Sequence, residues 1–240
     1  MSSPTSIPQT LDKNQVETVA ALLKDATQPM GVRFRALFTL KNVGGNHVVD
    51  HIGEALCTDD SALLKHECAY CLGQMQNSHA IDVLERVLAN IDEHPMVRHE
   101  AGEALGAIGG QRCLDILHVS FPSYLRAWSK LLRDTYFFQK YINDPCKDVS
   151  ETVSLAIGRI KHMQEHDNNG DKNDSVYKSV DPTPPLEYTK VDSVEIEKLR
   201  TILLDEEESM FKRYQAMFTL RNINTDESAL ALASALDCPD

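Results

Sequence analysis

The sequence predicts an all-α fold, a row of tandem two-helix repeats stacked into an α-superhelix, and three observations predict it. Apolar residues, chiefly Ala, Leu and Val, recur at helical spacing, while aromatics make up only 6% of the 240 residues and Trp128 is the sole tryptophan. The stretch Lys65–Gly73 (KHECAYCLG) returns as Arg98–Gly106 (RHEAGEALG) at an offset of 33. A longer offset of 180 carries Arg33–Asn42 (RFRALFTLKN) onto Arg213–Asn222 (RYQAMFTLRN), so the chain reads as two homologous halves. The same offset takes Asp60 onto Asp240, which makes the second half incomplete by comparison with the first.

The elements follow in order. Residues 1–13 are a polar tail. Residues 14–162 form the first half, in which Val16–Leu23, Val48–Leu56, Ile81–Leu88 and Cys113–Leu117 are the first helices of successive units. Arg33–Asn42, Lys65–Gly73, Arg98–Gly106 and Val149–Ile160 are the second helices. No unit of two helices buries its apolar face alone, so the units must stack. Residues 163–192, rich in Asn, Asp, Gly and Pro, read as a flexible linker, and 193–240 begin the second half. One interval is too long: Val97 to Val149 is an offset of 52 where 31 to 33 is expected. Removing Val119–Gln139 brings the offset back to 31 and joins LDILH to KYINDP. That segment begins Val-Ser, which GTAAGT can encode, and ends Phe-Phe-Gln, which a pyrimidine-rich run closing in CAG can encode, so it reads as a translated intron inserted into the fold.

A chain that is 42% hydrophobic and 25% charged can form a packed core. Its 24 Lys and Arg against 36 Asp and Glu leave a net charge of -12, which argues against nucleic acid and for a basic protein or a cationic substrate as partner. No apolar run is long enough to span a bilayer and Met1–Lys13 lacks the order of a signal peptide, so a cytoplasmic protein that avoids membranes is expected, with its six cysteines reduced. Cys68 and Cys71 fall on the apolar stripe of a helix and are expected in the core, since no second Cys pair completes a zinc site.

The two His-Glu dipeptides, His66-Glu67 and His99-Glu100, occupy equivalent places in adjacent repeats, where composition alone supplies fewer than one by chance. On a helix, Leu64, Cys68, Cys71, Leu72 and Met75 form one buried stripe, with His66 nearly opposite and Glu67 on the flank. Val97, Ala101, Ala104, Leu105 and Ile108 repeat that stripe for His99 and Glu100, so both pairs are expected to point away from the core. Neighbouring helices lie roughly 8–10 Å apart, which lets the four donors converge. Small residues share the histidine face, Ala69 and Gly73 after His66, Gly102 and Gly106 after His99. They predict a close approach, by a metal, a substrate, an opposing half or, on the plainer reading, the adjacent repeat. Imidazole with carboxylate suits non-haem iron or zinc. His47 with His51, and His162 with His166, stand four apart without counterparts in other repeats and read as solvated faces. Asp205–Glu208 reads as a helix cap.

The segments KHECAYCLGQ and RHEAGEALGAIG, set one repeat apart in an array of two-helix units with a linker to a homologous half, resemble the deoxyhypusine hydroxylases. The likeness covers nearly the whole chain apart from the first ten residues, 119–139 and the linker. It implies a HEAT-repeat monooxygenase that holds two irons between its halves and uses dioxygen to hydroxylate the deoxyhypusine side chain of a translation initiation and elongation factor, its protein partner. Residue by residue, it implies a metal site of His66, Glu67, His99 and Glu100. His66, His99 and Glu100 are the iron ligands, and Glu67 orients the site or holds the cationic amine of the substrate. The family carries four His-Glu pairs, two per half, of which this sequence contains the first two, so the resemblance does not imply activity for this chain alone. Two other readings remain open: a HEAT-repeat scaffold that binds a protein through its acidic surface, and a lyase-type metal-binding repeat protein.

Overall fold

A computed structural model describes residues 11–118, 141–166, 179–187 and 192–237, and every regular element among them is helical. The segment 119–139 lies outside the described residues. The first half contains α1 (Lys13–Lys24), α2 (Met30–Val43), α3 (Asn46–Thr58), α4 (Ala62–Gln74), α5 (Ile81–Ala89), α6 (Pro95–Ile108), α7 (Gly110–His118) and α8 (Lys147–His166). The second contains α9 (Ser193–Leu204), α10 (Met210–Ile223) and α11 (Asp226–Ala233).

Local chemistry sets many of the ends. Asp12 caps α1 in a reciprocal box with Gln15, Ser61 accepts from the Leu64 amide at the start of α4, and Pro95 opens α6 where its missing N–H costs nothing. Gly109, at φ 73°, ends α6 in a conformation that a side chain would resist. The run Asp205–Glu208 departs from its expected role. Asp205 closes α9, and the cap of α10 is Ser209, whose hydroxyl accepts from the Lys212 amide while Glu208 pairs with the Lys212 ammonium.

The helices form two layers, with α2, α4, α6 and α8 side by side in one, called inner because it carries the His-Glu pairs, and α1, α3, α5 and α7 in the other, called outer; α10 is the inner helix of the second half. One core runs from Val16 to Ile160, and a second, built on Ile196, Leu199, Leu203, Ala216, Leu220 and Ala231, serves the second half. A polar ladder marks the repeat. Arg33 Nε donates to the Leu23 carbonyl at 2.9 Å, Arg98 Nε to Leu88 at 3.1 Å and Arg213 Nε to Leu203 at 3.0 Å, always ten residues back. The cation at this position also meets an acid on the loop that follows the next outer helix: Arg33 with Asp59, Lys65 with Glu93, and Arg98 with Asp144. The first two pairs bridge sequence separations of 26 and 28, the third a separation of 46. Leaving 119–139 out of the count reduces the third to 25, in line with the others. The same register therefore holds on both sides of that segment.

Parts of the stretch 163–192 are structured. Helix α8 continues to His166, and residues 179–187 are tied to both halves. Val180 exchanges two hydrogen bonds with the Gln74 side chain, at 2.8 and 2.9 Å. Asp181 takes two from Arg221 at 3.0 and 2.6 Å, and the Leu186 amide donates to Thr219 Oγ1 at 2.7 Å. Gln74 belongs to the end of α4, and Arg221 and Thr219 to α10, so this short extended run bridges the halves.

Candidate metal centre

The centre lies where α4, α6 and α8 run side by side. Their spacing is set by glycine. A Cβ on Gly73 of α4 would lie 2.7 Å from Ala104 Cα of α6, and one on Gly106 of α6 would lie 2.6 Å from Ala156 Cβ of α8. Of the approaches that the small residues predict, the neighbouring repeat is the one observed at these two glycines. That closeness brings His66, one residue before Glu67 on α4, within reach of the carboxylate on the next inner helix.

His66 Nε2 lies 3.1 Å from Glu100 Oε2, and His99 Nε2 lies 3.8 Å from the same oxygen. The two imidazoles are stacked at 6.3 Å between centroids, inclined by 22°. His66, His99 and Glu100 each offer one donor atom, all within 4.8 Å of one another, and no other group of three metal-type donors occurs among the described residues. Two histidines and one carboxylate brought together in this way are the donor set of a non-haem iron site. The residues present therefore fit the metal that the resemblance implies. Glu67 is not one of the three. Its Oε1 lies 3.3 Å from the other nitrogen of His66, Nδ1, and its side chain stays about a quarter exposed.

One orientation differs from expectation. His66, Glu67 and His99 face outward, but the Glu100 side chain is only 6% exposed. A helical wheel treats one helix at a time, whereas the flank of α6 that carries Glu100 is an interface, covered by His66 of α4. Proximity to that carboxylate raises the pKa of His66, against the effect of burial. His99 moves the other way, lowered by its own burial against the opposing pull of the Glu100 charge.

Two participants carried no His-Glu signature. Thr152 of α8 stands in the register position of Glu67 and Glu100, and its Oγ1 lies 2.6 Å from His99 Nδ1. Glu103 follows Glu100 by one helical turn and lines a recess with Thr152, Ala156, Val180 and Asp181. Burial first, and then the Glu100 charge, push its carboxyl up to about 7. Its position on the face of His99 and Glu100 is a signal the periodicity contained.

The remaining histidines and cysteines sit apart. His51 faces Glu17 at 3.3 Å, and His162 stacks on His166 at 4.1 Å. Cys68 and Cys71 are fully buried, and among the described cysteines none forms a disulfide. No described helix is long and apolar enough to cross a membrane.

Residues 49–120 match the HEAT repeats family and 212–238 the PBS lyase HEAT-like repeat. The chain is 42% identical over 226 residues to the deoxyhypusine hydroxylase of Drosophila melanogaster, covering 94% of this chain and 66% of that protein. It is 45% identical over 226 residues to the human one, covering 94% and 65%. The chain thus spans just under two thirds of the length of these curated relatives. A solved structure of human deoxyhypusine hydroxylase in complex with glycerol superposes with a TM-score of 0.79 at 44% identity, over 95% of this chain and 69% of that one.

Proposed function

Because the chain belongs to the deoxyhypusine hydroxylase family, we propose that it contributes the first-half metal centre of an iron-dependent deoxyhypusine monooxygenase. The observation that carries this reading is the convergence of His66 Nε2, His99 Nε2 and Glu100 Oε2 from two stacked repeats. A protein-binding scaffold has no use for that convergence. In the reaction, a C–H bond of the deoxyhypusine side chain on a translation factor becomes C–OH, the second oxygen atom of dioxygen leaves as water, and an external reductant supplies two electrons. Iron, when bound, supplies the activation of dioxygen that no side chain here performs.

The chain's own residues do the rest. His66, His99 and Glu100 hold one iron of the two that the family resemblance implies, and the buried Glu100 contributes the negative charge that favours a cation there. Glu67, outside the ligand triad, has two tasks. It accepts from His66 Nδ1–H, which fixes Nε2 as the metal-facing nitrogen, and its exposed edge offers a carboxylate to an ammonium group of the substrate. The reading takes the reaction to be cytoplasmic, where thiols such as those of Cys57, Cys68 and Cys71 stay reduced.

The test uses a chain extended by the remaining third of its relatives' length, loaded anaerobically with iron and given a deoxyhypusine-bearing factor. Mass spectrometry should find one added oxygen. His99→Ala and Glu100→Ala should lose iron, whereas Glu67→Ala, deprived of the contact that orients His66, should hold iron more weakly but still load at excess iron, and should lose affinity for the factor even when loaded. Retention of iron by Glu100→Ala, or unchanged substrate affinity in Glu67→Ala, contradicts these assignments.

A further inference from the structure

Threonine inside a helix ordinarily turns its hydroxyl back on its own backbone. Thr18, Thr39, Thr58, Thr201 and Thr219 all do so here, each donating to the carbonyl four residues earlier at 2.6–2.9 Å. Thr152 does not. It is 7% exposed, and its Oγ1 instead reaches across from α8 to His99 Nδ1 on α6, at 2.6 Å.

The register makes this contact specific. Ala104 stands opposite Gly73 and Ala156 opposite Gly106, which aligns Thr152 with Glu100. His66 therefore meets the next repeat's residue at this position as the ligand Glu100, and His99 meets it as Thr152. Both histidines end up in the same arrangement: Nε2 faces the Glu100 oxygen, and Nδ1 faces an oxygen outside the triad, Glu67 for His66 and Thr152 for His99. A neutral imidazole that gives Nε2 to a metal must carry its proton on Nδ1, and a buried N–H needs an acceptor.

We propose that Thr152 is a positioning residue of the metal centre, accepting the Nδ1–H of His99 and so holding that ring with Nε2 directed at the metal. The centre then depends on three repeats rather than two, with α8 contributing an outer partner but no ligand. This rests on the metal-site reading above. Removing such an outer partner typically weakens a metal site roughly 10–100-fold.

Zn(II), which is diamagnetic, is the probe, bound to the full chain and competed with a chromophoric chelator. Thr152→Val, which keeps the shape and loses the hydroxyl, should weaken zinc by about 10-fold or more, and Thr152→Ser should restore most of the loss. In the zinc-loaded parent chain, 15N-resolved NMR should find the His99 Nδ1–H protected from solvent exchange. Thr152→Val with parental affinity, Thr152→Ser as weak as Thr152→Val, or an unprotected Nδ1–H in the parent would overturn the role of Thr152. If Thr152→Val does not fold, the parent NMR spectrum and Thr152→Ser decide. A parent chain that binds no zinc, with His99→Ala indistinguishable from it, removes the metal centre itself and this proposal with it.

Discussion

Substituting Gly106 by alanine tests whether repeat spacing sets the site. In a helix interior with free space, alanine is favoured over glycine by about 1 kcal/mol. Here the new Cβ would lie 2.6 Å from Ala156 Cβ and 2.9 Å from its Cα, and neither atom can rotate away. Carbon atoms rest about 3.5–4.0 Å apart, so α8 must retreat by about 1 Å. Overpacking of this kind costs about 1–3 kcal/mol. Because two adjacent contacts are violated, the upper end applies, and about 2 kcal/mol should remain after the propensity gain. For a chain of this size that lowers Tm by about 4–8 °C. Thr152 lies one turn before Ala156 on α8, so the same retreat stretches its 2.6 Å contact with His99 past hydrogen-bonding range. Zinc affinity should fall together with stability. Gly31 is the control: a Cβ there meets nothing within 4 Å, and Gly31→Ala should gain roughly 0.4–1 kcal/mol. Urea unfolding followed by circular dichroism measures both variants in metal-free protein. If Gly106→Ala matches Gly31→Ala in stability and keeps its zinc affinity, the close approach of α6 and α8 is not what builds the site.

Glu103 supplies a pH dependence. Its folded pKa of about 7 exceeds the ordinary 4.5, so between those values the folded chain keeps a proton that the unfolded chain releases. Stability of the metal-free protein should therefore fall as pH rises from 4.5 to 7 and then level off, by at most roughly 3 kcal/mol at about 1.36 kcal/mol per unit. Glu103→Gln should flatten that decline and be the more stable protein at pH 8. Parallel urea midpoints for the two proteins at pH 5 and 8 would refute it. A thiol reagent should label the exposed Cys57 in the native protein and leave Cys68 and Cys71 untouched until unfolding, since burial raises the Cys68 pKa well above normal and pushes Cys71 up to about 12. Native labelling of either buried thiol at the rate of Cys57 counts against the packing of α4. Deleting Val119–Gln139 should leave the Arg98 pairing with Asp144 intact and raise solubility and Tm, because the sequence separation of that pair then approaches the 26 of Arg33 with Asp59. Loss of folding on deletion would make the segment an integrated part of the fold.

The repeat architecture was legible because the chain restates its own residues. Arg33, Lys65, Arg98 and Arg213 recur at the head of α2, α4, α6 and α10, and three of them close the same bond to a carbonyl ten residues back. The His-Glu pairs were legible for a related reason, being polar residues repeated where no packing requirement calls for them. The burial of Glu100 was not, since it depends on which helix covers the flank of α6. Nor was Thr152, because the fourth inner helix carries Glu151-Thr152 where the second and third carry His-Glu, and the interval before it is an offset of 52 rather than 33. The contact of Gln74 with Val180 joins positions 106 apart in sequence and involves a backbone group that no pattern of side chains announces.

What the sequence concealed is connected physically to what it displayed. His66 and Glu100 belong to different repeats, so their 3.1 Å approach exists only when α4 and α6 are stacked, and the 2.6 Å contact of His99 exists only when α8 is stacked on α6. Gly73 and Gly106 are the residues that permit those two stackings. Two glycines, each costing a helix about 1 kcal/mol, thereby place donors from two helices, and an outer partner from a third, around one point. Because no single repeat holds the donor set, metal binding and stacking of the first half must be thermodynamically linked, and metal should stabilise the array against unfolding in proportion to its affinity. A substitution that separates inner helices without touching a ligand, as Gly106→Ala does, then weakens the metal through the same free energy by which the metal would otherwise hold the helices together.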